Sequence, residues 1–252
     1  MSDENEPGNE QGTAWDLRPA RDLDLPFKER MRSVRRDPSV FSSTTRWAWW
    51  TAVGAVMRVW HRFRIVGAER LPPAPPFVLV ANHSSHLDVV SLMLSVPPKW
   101  RDRVFPLAAA DHFFGEVPLA TFTALALNAL PMPRQGGGQG RETMLYLRDR
   151  LREEGCGVVV FPEGTRSRTG ELGRFRSGVG LLVAGTDIPV VPCWIEGAYA
   201  AFPAVAKFPR PRPVSVVIGE PLTFAGLAPD QSGCETVAKD VERAVRALMP
   251  KR

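Results

Sequence analysis

Cysteine is scarce: the 252 residues hold 3, Cys156, Cys193 and Cys234. They are odd in number and far apart, with no C-x-x-C or Cys/His spacing, which points to neither a disulfide framework nor a zinc site. A reducing, cytoplasmic setting is the expectation. Long apolar runs are missing too. Trp47 to Met57 is 11 residues between Arg46 and Arg58, and Val117 to Pro133 is interrupted by Pro118, Asn128 and Pro131. A spanning helix needs about 20 predominantly apolar residues, so no transmembrane segment is expected. The opening residues are acidic and polar, unlike a secretory signal. No serine stands in a G-x-S-x-G elbow, no internal repeat is visible, and no recognition-helix or aromatic-basic strand motif speaks for nucleic acid.

What is present is an ordinary globular composition, 44% hydrophobic and 23% charged, enough to bury a core. No long Ser/Gly linker divides the chain after residue 46, so one main domain is expected. Charge is uneven. Residues 1–45 hold 7 Lys/Arg against 9 Asp/Glu, while residues 46–252 hold 25 against 18, a balance of −2 and +7. Such a body suits an anionic partner: nucleic acid, an anionic bilayer or a phosphorylated substrate. Residues 1–44 read as a polar, disordered tail and residues 45–252 as the folded domain.

Residues 45–64 carry Trp49, Val53, Val56 and Trp60 at helical spacing, bracketed by arginines. The pattern predicts an amphipathic helix. Trp favours the headgroup boundary and Arg its phosphates, so this helix either lies in a bilayer interface or packs on the domain's own core. Beyond it, short β-branched runs alternate with helical patterns. Strands are predicted at Phe77–Ala81, Val104–Ala108, Gly157–Phe161, Val190–Ile195 and Val214–Ile218, with helices over Arg141–Glu154 and near the C-terminus. The glycine run Gly136–Gly140 reads as a loop. The rhythm predicts an α/β fold, a mostly parallel central sheet flanked by helices, with the N-terminal amphipathic helix membrane-associating.

Chemistry concentrates in two loops that leave predicted strands at their C-terminal ends, where parallel sheets place their sites. The first is Asn82-His83-Ser84-Ser85-His86-Leu87-Asp88. Histidine suits proton transfer near neutral pH, and an aspartate on one ring nitrogen fixes the tautomer and stabilises the imidazolium. On one helix the two would lie about 140° apart, so a turn at His83 entering a helix near Ser85 is required. The structural alternatives are Ser84 or Ser85 as a helix N-cap, Asp88 as a first-turn dipole partner and His83 as a satisfied polar residue. A metal site of His83, His86 and Asp88 lacks a second ligand cluster, so no metal is expected. The second loop is Phe161-Pro162-Glu163-Gly164-Thr165-Arg166-Ser167. Its glycine permits close backbone approach and Arg166 offers a planar fork for phosphate oxygens, although a solvated surface turn has the same spacing.

Taken together, Asn-His-x4-Asp at 82–88 and Phe-Pro-Glu-Gly-Thr-Arg-Ser at 161–167 resemble the glycerolipid acyltransferase family, which includes 1-acyl-sn-glycerol-3-phosphate acyltransferases. Leu130-Pro131-Met132-Pro133-Arg134 resembles the family's second block, Ile188-Pro189-Val190-Val191-Pro192 its fourth, and Phe175-Arg176-Ser177-Gly178 the segment after its third. The likeness spans roughly residues 60–220.

The resemblance implies transfer of a fatty acyl group from acyl-CoA or acyl-carrier protein to the hydroxyl of a lysophosphatidate-like acceptor, with no cofactor. His83 would be the general base and Asp88 its orienting partner. No serine nucleophile is needed, because the acceptor alcohol supplies the attacking oxygen. Glu163, Gly164, Thr165 and Arg166, with Arg134, would bind the acceptor's polar head. The implied location is peripheral, at the cytoplasmic face of an anionic membrane. The alternatives are another lysolipid as acceptor, such as a lyso-ornithine lipid, or a catalytically idle lipid-binding relative.

Overall fold

A computed structural model describes residues 26, 40–109, 123–124, 126–132 and 138–250. The tail expected over 1–44 falls almost wholly outside them, as does Arg134.

The described elements start with α1 (Val40–Trp60), which passes through His61 to the short β1 (Arg64–Val66). Then come β2 (Phe77–Ala81), α2 (Asp88–Ser95), a 3-10 segment at Pro98–Arg103, β3 (Val104–Ala109) and β4 (Leu130–Met132). The second half contains α3 (Gly138–Glu154), β5 (Gly157–Val160), α4 (Gly178–Val183), β6 (Val190–Glu196), α5 (Ala198–Ala201), β7 (Ser215–Ile218) and α6 (Gln231–Ala247). The seven strands form one sheet in the order β1-β7-β6-β2-β5-β3-β4. All neighbours are parallel except β6 and β7, so β1 and β7 run against the other five strands. The mostly parallel α/β fold is as the sequence predicts.

β2 lies in the middle and all five of its residues are buried, because helices cover both faces of the sheet. Side chains alternate across a strand, and the two faces therefore have different partners. Val78 and Val80 join Leu147 and Leu151 of α3, Val179 and Leu182 of α4, and Val237, Val241 and Val245 of α6. Phe77, Leu79 and Ala81 join Trp50 and Met57 of α1 and Leu92 and Met93 of α2. Where α4 crosses α6, a Cβ on Gly180 would come 2.4 Å from the Cα of Cys234, so only glycine allows the two helices to approach this closely.

α1 serves the domain with one face and leaves the other uncovered. Trp50 and Met57 are buried, and Trp49 and Val53 pack against the same core. Arg46, 2% exposed, donates from its Nε to Asp102 at 2.6 Å and ties the helix to the 3-10 segment. Trp47, Val56, Val59 and Trp60 stay exposed. The helix ends at Trp60 rather than continuing to residue 64, since Arg62 takes a positive φ and the chain turns into β1. Among the described residues no helix is long and apolar enough to cross a membrane.

Two local expectations need correction. Gly138 and Gly140 lie in the first turn of α3 rather than in a loop, because Met144, Leu147 and Leu151 anchor that helix to the sheet. The 3-residue β1 and β4 are too short to show a period of two. The stop at Gly155 is as expected, with φ +56.

Candidate active site

β2 and β5 are parallel neighbours with Val80 opposite Val160, so the segments leaving their C-terminal ends emerge side by side. Both motifs therefore meet at one edge of the sheet. The first is pinned at its root by Asn82. Its Nδ2 donates to the Ile195 carbonyl at 3.1 Å and its Oδ1 accepts from the Ile195 amide at 2.8 Å, continuing the β2–β6 pairing with a side chain.

His83 then turns out of the strand, and its Nδ1 lies 2.8 Å from Asp88 Oδ2. The same oxygen accepts from the main-chain nitrogens of Ser84, at 2.6 Å, and Ser85, at 2.7 Å. An ionised carboxylate only accepts, so the proton sits on Nδ1 and Nε2 is left with its lone pair. Asp88 is fully buried while His83 is 20% exposed, which keeps the acid out of water and the ring within reach of a ligand. The helix begins at Asp88 itself, later than the expected Ser85, because residues 84–87 form the turn that closes on the carboxylate. Neither Ser84 nor Ser85 caps it. Ser85 Oγ instead accepts from the Leu87 amide at 3.0 Å and donates to the Phe202 carbonyl at 2.7 Å.

The second motif holds the first from below. Phe161 stacks on the His83 ring with centroids 4.1 Å apart and planes 19° from parallel. Glu163 Oε1 accepts from the His83 main-chain nitrogen at 2.7 Å, and its Oε2 accepts from the Gly173 nitrogen at 2.9 Å. The Ser167 amide donates to the His83 carbonyl at 2.7 Å. Burial pushes the Glu163 carboxyl above its usual range, opposed by the two N–H groups that favour its anion. Gly164 has φ +72 and lies against the Arg176 guanidinium, only 2.9 Å from where a Cβ would sit. The tight turn and the close approach both require glycine there.

Gly164 and Thr165 are exposed at the tip of this turn. Arg166 reaches across to the first motif and donates to His86 Nδ1 at 2.6 Å. The other ring nitrogen of His86 lies 3.2 Å from the Ala204 carbonyl, which assigns it the proton. Partial burial and the neighbouring Arg166 charge both lower the His86 pKa. Among the described residues no cluster of His, Cys, Asp and Glu is placed to hold a metal ion.

The structure thus brings together His83, Asp88, Glu163, Gly164, Thr165 and Arg166. Three participants were not singled out from sequence: Asn82 as the stitch to β6, Phe161 as the platform under the ring, and Gly173 as the second anchor of Glu163. Asn82 and Phe161 lie inside the quoted motifs, where their identity was visible and their partners were not. Gly173 carried no signal.

The site is thus a partly exposed His83 held on a buried Asp88 at the C-terminal end of the central strand of a mostly parallel sheet. Residues 62–196 match the family model described as Acyltransferase, and the chain belongs to that family, the glycerolipid acyltransferases. It is 30% identical over 172 residues to the 1-acyl-sn-glycerol-3-phosphate acyltransferase alpha of Mus musculus, covering 67% of this chain and 58% of that protein. It is 29% identical over 167 residues to the beta form of Homo sapiens, covering 66% and 58%. The chain thus spans under two thirds of the length of the curated relatives it matches. The fold is shared with the crystal structure of the 1-acyl-sn-glycerophosphate acyltransferase of Thermotoga maritima, at TM-score 0.55 and 24% identity, covering 84% of this chain and 88% of that one.

Proposed function

We propose that the protein transfers a fatty acyl group from a thioester, acyl-CoA or acyl-carrier protein, to the free hydroxyl of a lysophosphatidate-like acceptor. The observation that carries this reading is the His83 Nδ1 to Asp88 Oδ2 contact of 2.8 Å, with Nε2 left as a base on a ring that is 20% exposed.

In this scheme the acceptor hydroxyl hydrogen-bonds to His83 Nε2. As its oxygen attacks the thioester carbonyl carbon, the proton passes to Nε2, and Asp88 stabilises the imidazolium. The tetrahedral intermediate collapses by breaking the C–S bond. The thiolate leaves and takes the proton from His83, which restores the neutral ring. The hydroxyl is the nucleophile throughout, so no acyl-enzyme forms.

Gly164, Thr165 and Arg166 receive the acceptor's phosphate, Arg166 moving from His86 to the phosphate oxygens. Arg134 belongs to the same proposed contact set. Glu163 supports the head-group loop while its oxygens hold the main chain of His83 and Gly173. The exposed Trp47, Val59 and Trp60 of α1, with Arg58 and Arg62 beside them, make this helix the proposed attachment to the cytoplasmic face of an anionic membrane.

The test is thiol release from acyl-CoA and from acyl-carrier protein, with lysophosphatidate and then other lysolipids as acceptors. Acceptor-dependent release with lysophosphatidate supports the reading. Release only with a different lysolipid keeps the chemistry and changes the acceptor, and none with any pair favours an idle lipid-binding protein.

A further inference from the structure

Residues 202–213, between α5 and β7, form a loop that is exposed at Val205 and from Lys207 to Pro213. Phe208 is 80% exposed and Val205 79%, beyond what the core-facing segments leave in water. Scattered apolar exposure is ordinary, but here it is combined with two further features. Pro203, Pro209, Pro211 and Pro213 stiffen the loop, because each fixes φ and removes a main-chain donor. A loop so constrained has little freedom to fold its apolar residues away. Lys207, Arg210 and Arg212 are all exposed beside them, and no carboxylate occurs in the sequence between Glu196 and Glu220.

The ends of the loop are fixed at two informative places. The Phe202 carbonyl accepts from the His86 amide at 3.2 Å and from Ser85 Oγ at 2.7 Å, and Ala204 contacts His86 Nε2. The loop therefore starts on the turn that carries His83 and Asp88. At the other end the Arg212 carbonyl lies 3.1 Å from His61 Nδ1, directly after α1, and Arg210 donates its amide to Ala201 at 2.7 Å.

We propose that loop 202–213 is a membrane-contacting element separate from α1. Val205 and Phe208 enter the acyl-chain boundary of an anionic bilayer, while Lys207, Arg210 and Arg212 meet its phosphates. Protruding apolar side chains gain from a fluid apolar phase without needing a shaped pocket, and cations with no carboxylate on their own loop select negative headgroups. A nucleic acid would match the charge but offers no apolar phase for Val205. The inference deepens the acyl-transfer reading and rests on it for its purpose: the loop presses the His83 turn against the surface from which a lipid acceptor arrives.

The experiment uses the full chain with Phe208→Cys carrying an environment-sensitive thiol fluorophore. The native thiols resist labelling, being buried, with Cys156 pushed up to about 11 and Cys193 to about 12. Vesicles of phosphatidylglycerol with phosphatidylcholine are expected to blue-shift the emission, and brominated acyl chains to quench it. Unchanged emission with bound protein overturns the proposal, as does a shift that depends on protein concentration without vesicles, which would mark a second copy as the occupant.

A Val205→Ser/Phe208→Ser variant gives the functional arm. Turnover of vesicle-embedded lysophosphatidate is expected to fall about tenfold or more, with a monodisperse short-chain acceptor unaffected. Equal turnover on vesicles overturns the proposal, and so does an equal loss with both acceptors. If the wild-type protein released no thiol at all, the acyl-transfer reading would fail, and the fluorophore would still decide membrane contact.

Discussion

Glu163 accepts the main-chain N–H of His83 at 2.7 Å with one carboxylate oxygen and that of Gly173 at 2.9 Å with the other. The acid of the second motif thereby fixes the backbone of the base in the first. His83 is also bound at its carbonyl by the Ser167 amide and on its ring by Phe161, so main chain and side chain are held by one loop. Asp88 fixes what remains, the rotation of the ring.

Glu163→Gln separates support of His83 from binding of the acceptor. A glutamine amide turns a donor toward one of the two N–H groups, which removes one hydrogen bond of about 1–3 kcal/mol with its desolvation. The expected result is a kcat about tenfold lower with acceptor KM little changed. A KM effect with normal kcat would identify a head-group contact instead.

Asp88→Asn is expected to fold and to be nearly inactive. Oδ2 carries all three bonds, while Oδ1 is buried with no hydrogen-bond partner among the described residues, so the amide nitrogen has a place that breaks none of them. The lost charge no longer stabilises the imidazolium, and kcat should fall about 100-fold or more at unchanged thermal midpoint. Near-normal turnover would contradict the dyad.

His86 predicts a pH effect of definite sign. Its pKa is lowered by burial and by Arg166, with Asp88 opposing and His83 adding to the shift. The neutral form is thus favoured by folding, and the unfolded chain binds more protons between the two pKa values. The contribution is present above the ordinary value near 6.5 and is lost as pH falls through the folded-state value. Denaturant midpoints of wild type and His86→Gln should therefore converge on acidification below pH 6.5. Divergence on acidification would contradict the Arg166 to His86 contact.

The two faces of α1 give opposite expectations. Replacing exposed Trp47, Val59 and Trp60 with serine should weaken binding to anionic vesicles at least tenfold, checked by sedimentation, and leave the thermal midpoint within a few degrees. Trp50, 3% exposed, belongs to the core, and Trp50→Ser should cost about 3–5 kcal/mol in denaturant unfolding. Undiminished vesicle binding by the triple serine variant would move the attachment surface elsewhere.

Much of this was legible because the informative features are local. The β2 run Phe77–Ala81 is a continuous apolar stretch, as a central strand buried on both faces must be, and its bounds match. His83 and Asp88 are five residues apart, so one turn suffices to join them. What could not be read is what depends on distant pairing. Asn82 meets Ile195, and Glu163 meets His83, only because β2 lies between β5 and β6. The division of α1 into a buried and an exposed face was equally hidden, since Trp47, Trp49 and Trp50 are chemically alike and only docking separates them.

The most direct test of the central claim is thiol release from acyl-CoA with lysophosphatidate, comparing wild type with His83→Ala. The account predicts that wild type releases thiol only with acceptor present, and that His83→Ala falls about 100-fold or more with circular dichroism and thermal midpoint unchanged. Acceptor-dependent release at the wild-type rate from a folded His83→Ala protein would contradict it.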